Sequence, residues 1–171
     1  RHHAVAFSVD TLGYITTGED TTTAIYRKDF WEYNPQADTW TQKTDFAGPA
    51  RANSVSFVIG TKAYIGTGIP YTNDFWEWDA TTKIWTAKTS FGGSPRLDAS
   101  GFSIGNKGYI GLGIEVNTGK SKKDFWEWDQ ASDTWVQETH FASTPRYTAI
   151  GISAGGFGYF GTGADSTGNL K

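Results

Sequence analysis

The chain contains no cysteine and no methionine in its 171 residues, only three histidines and five prolines, and charged residues make up just 19% of it. Without cysteine there can be no disulfide and no thiol or thiolate site. His2 and His3 are adjacent while His140 stands far along the chain, so no histidine-based metal site is expected. Glu19-Asp20 lacks the alternating oxygen ligands and glycine of a calcium loop. A net charge of −3, with Lys120, Lys122 and Lys123 as a small loop cluster, gives no electrostatic footprint for nucleic acid. No apolar run is long enough to cross a membrane as a helix, so no direct membrane insertion is expected. No Asn-x-Ser/Thr sequon, nucleophile elbow, phosphate-binding glycine loop or zinc spacing occurs, and no cofactor is expected. The chain also has neither an initiator methionine nor a signal peptide, from which a piece of a longer protein is expected, with its targeting segment elsewhere.

What is abundant is repetition. Gly-Tyr-Ile-Thr-Thr-Gly at 13 to 18 returns as Ala-Tyr-Ile-Gly-Thr-Gly at 63 to 68, Gly-Tyr-Ile-Gly-Leu-Gly at 108 to 113 and Gly-Tyr-Phe-Gly-Thr-Gly at 158 to 163. Asp29-Phe30-Trp31-Glu32-Tyr33 recurs at 74 to 78 and 124 to 128 with tryptophan last. A further tryptophan follows seven residues on, at Trp40, Trp85 and Trp135, and an arginine eleven residues after that, at Arg51, Arg96 and Arg146, with Arg1 in the same register. A period of about 50 residues points to a propeller or solenoid.

Each unit divides into four runs of β-favouring residues, in the first unit about 2 to 9, 12 to 17, 29 to 34 and 39 to 43. Asp10-Thr11, Gly60-Thr61, Gly105-Asn106 and Gly155-Gly156 suit two-residue hairpin turns, and Asn34, Asp79 and Asp129 open side-chain-capped turns. The first strand of each unit is built largely of small residues, as a crowded hub requires, and the bulk lies in the third and fourth. Aromatic packing between units is therefore the expected main stabiliser, with Trp40, Trp85 and Trp135 expected to be buried equivalents. Each of the eight tryptophans contributes a gross term of roughly 4 kcal/mol.

This pattern, an arginine opening a small-residue strand, a tyrosine strand ending in Gly-x-Gly, an Asp-Phe-Trp-Glu-Trp strand and a spaced tryptophan, resembles the kelch repeat of β-propellers, more narrowly the kelch arrays of secreted and surface-exposed bacterial proteins. The resemblance covers essentially the whole chain. It departs at the glycine pair typical of the family, here Gly-Thr-Gly or Gly-Leu-Gly. It implies an all-β propeller segment spanning 1 to 171 as one domain, with blades at about 1 to 46, 47 to 91 and 92 to 141 and the first two strands of a fourth at 142 to 171. Two copies would supply six whole and two half blades, so a segment of a six- or seven-bladed ring is expected, its remaining blades coming from the same longer chain or a partner chain.

Function is expected on one face. All length variation between units falls in the second-to-third loops: ten residues separate Gly18 from Asp29 and Gly113 from Asp124, but five separate Gly68 from Asp74. Variable loops on a rigid scaffold commonly carry binding, which selects 19 to 28, 69 to 73, 114 to 123 and 164 to 171, with Tyr26, Arg27, Tyr71 and Lys120 their most contact-prone side chains. Arg1, Arg51, Arg96 and Arg146 read either as a structural feature that repeats with the unit or as a cationic ring for a carboxylate or acidic peptide. Two residues after each arginine, His3, Asn53, Asp98 and Thr148 are all polar yet all different, as ligand-specific positions would be; solvated residues at a strand start are the plainer alternative. The Glu32, Glu77, Glu127 and Asp29, Asp74, Asp124 series repeat too faithfully for an asymmetric catalytic centre. The expected function is a non-catalytic module presenting its loop-rich face to a protein or glycan, outside the cell or on a bacterial surface. The alternative is a kelch-propeller enzyme acting on sugars, of oxidase or epimerase type, with its site in the missing blades.

Overall fold

The computed structural model describes residues 1–70, 72–167 and 170. It is an all-β protein of four-stranded antiparallel sheets in a propeller-like arrangement. The first blade holds β1 (Val5–Val9), β2 (Leu12–Thr16), β3 (Glu19–Asp20), β4 (Ile25–Tyr26), β5 (Phe30–Asn34) and β6 (Thr39–Lys43). The second holds β7 (Val55–Ile59), β8 (Lys62–Gly66), β9 (Phe75–Asp79) and β10 (Ile84–Lys88). The third holds β11 (Arg96–Leu97), β12 (Ser100–Ile104), β13 (Lys107–Gly111), β14 (Ile114–Glu115), β15 (Phe125–Asp129) and β16 (Thr134–Glu138). The last holds β17 (Arg146–Tyr147), β18 (Ile150–Ala154), β19 (Phe157–Gly161) and β20 (Ala164–Asp165).

The three full sheets run β1-β2-β5-β6, β7-β8-β9-β10 and β12-β13-β15-β16, and β18-β19 forms a two-stranded fourth. Sequence periodicity places the four main strands of each full blade and the two of the last; the first run, expected from residue 2, begins as a strand at Val5. The first turn residue of each inner hairpin, Asp10, Gly60, Gly105 or Gly155, has positive φ, as the expected primed turns demand. Asn34, Asp79 and Asp129 each accept two backbone N–H bonds across the third-to-fourth turn, such as Thr81 N to Asp79 Oδ1 at 2.7 Å. The variable loops are more regular than expected, because β3 pairs with β4 and β11 with β14, building short ribbons on the rim.

β1, β7, β12 and β18 lie side by side at the hub. Between neighbouring blades the aromatic residues interlock. Trp78 packs on Tyr14 at 4.6 Å and Phe30 at 5.0 Å, and Trp85 packs on Phe30 at 5.3 Å and Phe46 at 4.9 Å. One blade on, Trp128 and Trp135 repeat this against Tyr64, Phe75 and Phe91. The expected equivalence of Trp40 with these does not hold among the described residues: Trp40 is 55% exposed and touches Tyr33 of its own blade, with no phenylalanine of another blade against it.

Blades are also joined by backbone. The glycine that closes each tyrosine-strand motif donates to the carbonyl of the next blade's arginine, Gly18 to Arg51 at 2.7 Å, Gly68 to Arg96 at 2.8 Å and Gly113 to Arg146 at 2.8 Å. At Gly68, with φ of 98°, a Cβ would lie 2.5 Å from the Ala52 carbonyl oxygen, so the close approach of this segment to the Ala52–Ser54 stretch of its own blade requires glycine.

Candidate functional site

The four divergent polar residues come together at the mouth of the hub. His3, Asn53, Asp98 and Thr148 all have left-handed backbones, with φ of 53°, 57°, 54° and 51°. Each links to its neighbour, the N–H of Asn53 donating to the His3 carbonyl at 3.1 Å, Asp98 to Asn53 at 3.2 Å and Thr148 to Asp98 at 3.2 Å. A left-handed backbone itself favours Asn, Asp and His, which accounts for the polarity of this series; Thr148, β-branched, adopts it against its preference. Backbone geometry does not dictate that four different side chains should occupy four equivalent places.

These residues line a shallow depression of about 170 Å³ together with Ala4, Ser54, Ala99 and Ala149. Asn53 Nδ2 donates to Asp98 Oδ1 at 2.6 Å, presenting an amide oxygen and a carboxylate oxygen beside the His3 ring. Below, a wider space of about 410 Å³ along the inner strands is lined by Ser8, Ser56, Ser103, Ser153, Gly101 and Gly151 among others. Two of these serines bind neighbouring backbone, Ser103 Oγ donating to the Val58 carbonyl at 2.6 Å and Ser56 Oγ to that of Ala6 at 3.5 Å. The mouth thus offers donors and acceptors, with Asp98 the one carboxylate among its lining residues.

The arginines are placed otherwise. Arg51 and Arg96 are fully buried. Arg96 makes a bidentate pair with Asp124, both bonds 2.7 Å, and donates to the carbonyls of Leu112 at 3.0 Å and Ser94 at 3.1 Å. Arg51 makes the corresponding bonds to Asp74, Thr67 and Pro49, and Arg1 pairs with Asp29. Arg51, Arg96 and Arg146 each lie over a phenylalanine ring, Phe46, Phe91 and Phe141, at 4.9 to 5.1 Å. This geometry is that of the structural alternative: the guanidinium groups tie the rim of each blade and do not line the mouth. The phenylalanines were not singled out in the sequence, although each stands six residues after its tryptophan and five before its arginine.

The repeating carboxylates are engaged as well. Asp29, Asp74 and Asp124 also accept from the indole N–H of Trp31, Trp76 and Trp126 at 2.6 to 2.9 Å. Burial would raise the Asp74 and Asp124 carboxyls, but the arginine bonds outweigh it and hold both below the usual range. Glu32, Glu77 and Glu127 accept from the hydroxyls of Tyr14, Tyr64 and Tyr109 at 2.8 to 2.9 Å and pair with Lys43, Lys62 and Lys107. Burial, followed by the glutamate bond, pushes the Tyr109 hydroxyl up to about 12.

On the rim, Arg27 pairs with Asp20 at 2.6 Å, and Asp20 also caps the turn between β3 and β4. The Lys120, Lys122, Lys123 loop borders a depression of about 350 Å³ with His140 and Pro145, where Lys122 faces Glu115 at 3.6 Å. Tyr71 lies outside the described residues, as do 168, 169 and 171 of the last loop. Among the described residues no group of three or more His, Cys, Asp or Glu is placed to hold a metal ion, and no helix is long and apolar enough to cross a membrane.

Among solved structures the chain is similar to that of YjhT, with a TM-score of 0.83 over 98% of this chain at 12% identity. At that identity the likeness is one of fold. The chain spans 63% of the length of YjhT. No family profile and no curated protein matches it.

Proposed function

We propose that the chain is a non-catalytic binding module of kelch type, part of a six- or seven-bladed ring in a secreted or surface protein, which presents the mouth face to a protein or glycan. The observation that carries this reading is the placement of His3, Asn53, Asp98 and Thr148 on one repeated backbone: the scaffold is constant and only the presented chemistry changes. A polyhydroxylated or amide-bearing group suits such a mouth, since Asp98 accepts, Asn53 offers both functions and the flanking alanines leave room for ring faces. Arg1, Arg51, Arg96 and Arg146 support the site from behind, fixing the rim from which the loops at 19 to 28, 69 to 73 and 114 to 123 project.

The test is a glycan and surface-protein screen against the full chain, followed by Asp98→Ala, Asn53→Ala and Tyr71→Ala in turn. Loss of a captured ligand in Asp98→Ala or Asn53→Ala, with cooperative unfolding retained and a melting temperature lowered by no more than a few degrees, is expected. Undiminished binding in all three, together with loss on changing Gly105-Asn106 at the opposite end of the blades, would move the site to the other face.

A further inference from the structure

The rim of the third blade holds a basic slot that the mouth does not use. This depression of about 350 Å³ is lined by Lys120, Ser121, Lys122, Lys123, Gln137 and His140. Its backbone frame is fixed. The Lys120 carbonyl accepts from Glu115 N at 2.9 Å, Lys122 N donates to the Gly113 carbonyl at 2.8 Å, and the carbonyls of Lys122 and Lys123 accept from Arg146 N at 3.2 Å and Phe141 N at 2.8 Å. Two carboxylates also border the slot, and both are neutralised. Glu115 faces Lys122 at 3.6 Å and accepts from Thr118 Oγ1 at 2.7 Å, while Asp124 is held by the two Arg96 bonds and the Trp126 indole. Lys120 and Lys123 have no ion pair among the described residues, so the slot carries an excess of positive charge.

The first blade supplies the comparison, because it has the same frame. Arg27 N donates to the Gly18 carbonyl at 2.8 Å, and the carbonyls of Arg27 and Lys28 accept from Arg51 N at 3.2 Å and Phe46 N at 2.9 Å. Arg27 with Asp20 stands where Lys122 with Glu115 does, so that ion pair belongs to the frame. At two other places the chemistry changes: Ile25 stands where Lys120 does, and Asp45 where His140 does. One backbone thus carries an aliphatic and an acidic residue in the first blade and an ammonium and an imidazole in the third, a change that the frame itself does not require. Nor does the slot depend on the fourth blade. Gln42 and Asp45, and one blade later Ala87 and Ser90, occupy the places of Gln137 and His140, and all four stay exposed with a complete four-stranded blade seated beside them.

We propose that this slot binds a tetrahedral oxyanion, a sulfate or phosphate ester, carried on a sugar. Lysine ammonium groups are point charges without the planar fork that suits a carboxylate, and Ser121 and Gln137 bring hydroxyl and amide donors to the same space. The volume lies at the lower end of ligand pockets, about 300 to 1,000 Å³, and admits more than a bare anion. The described lining has no phenylalanine, tyrosine or tryptophan, so the body that carries the anion is hydrophilic. The slot shares no residue with the mouth at His3, Asn53, Asp98 and Thr148, and either site can fail without the other.

The probes are the sulfate and phosphate monoesters of glucose, titrated into the full chain by calorimetry at low salt, with glucuronate, unsubstituted glucose and inorganic sulfate alongside. Saturable one-to-one binding of at least one ester is expected, about tenfold or more tighter than any of the three comparison compounds and weakened by added sodium chloride. Which ester binds distinguishes a sulfated from a phosphorylated ligand. Lys120→Ile combined with His140→Asp places the first blade's residues on the third blade's frame, both at exposed positions. This double variant is expected to keep its thermal unfolding curve and to lose about tenfold or more in ester affinity. No saturable binding of either ester, glucuronate or inorganic sulfate binding as tightly as the esters, or full affinity in the double variant would each overturn the proposal.

Discussion

At the scale of the residue, the weight of the fold falls on aromatic side chains at blade junctions, and equivalents in sequence are unequal in energy. Trp85 reaches into the first blade against Phe30 and Phe46, so Trp85→Ala is expected to cost roughly 3 to 5 kcal/mol in urea unfolding. Trp40 has no such neighbour, and Trp40→Ala is expected to cost less than about 1 kcal/mol. Equal losses for the two would contradict the junction geometry. The tryptophan spacing was legible in the sequence; the difference between Trp40 and the others was not, because burial depends on the adjoining blade rather than on the unit itself. The same limit applied to the arginines. Their recurrence allowed both a structural role and a cationic ring, and only the side-chain directions, toward Asp74, Asp124 and the underlying phenylalanines, separate the two.

At the scale of the element, each of the three full blades is clipped at its rim by an arginine–aspartate pair and held through its middle by a tyrosine–glutamate bond. Asp124 is held below its ordinary value despite burial, so the folded state binds its proton less tightly than the unfolded chain does. The stability it contributes is therefore present above the unfolded value near 4 and is lost as pH falls through the lower folded value. Unfolding midpoints of the wild type and Asp124→Asn, followed from pH 7 to pH 2, are expected to converge in acid; a constant gap would remove the linkage. The tyrosine bond works from the other side. Tyr109 is raised to about 12, so its contribution is complete below pH 10 and is lost as the pH rises toward that value. The strands and hairpin turns of these elements were readable from period and turn residues. The rim ribbons β3–β4 and β11–β14 were not, since two-residue strands have no periodicity to read. The mouth was half legible: divergence marked His3, Asn53, Asp98 and Thr148, but their shared left-handed backbone, which explains why they are polar, has no signature in one sequence.

At the scale of the whole molecule, stability is a sum over junctions, as in other repeat arrays. The second blade has a neighbour on both sides, and Tyr64, Ile65 and Phe75 within it are almost wholly buried. In the last blade Ile150, Ile152, Phe157 and Tyr159 are each more than half exposed, and β19 offers an unpaired edge. Such an edge invites pairing between molecules, and light scattering after size exclusion is expected to show association rather than a sharp monomer peak. Local opening should follow the same gradient. Native-state hydrogen exchange is expected to find the amides of β7 to β9 the slowest and those of β18 and β19 the fastest, because opening the last blade disrupts one junction while opening the second disrupts two. Uniform exchange along the array would mean that the chain unfolds as one cooperative unit and that the junctions do not act separately.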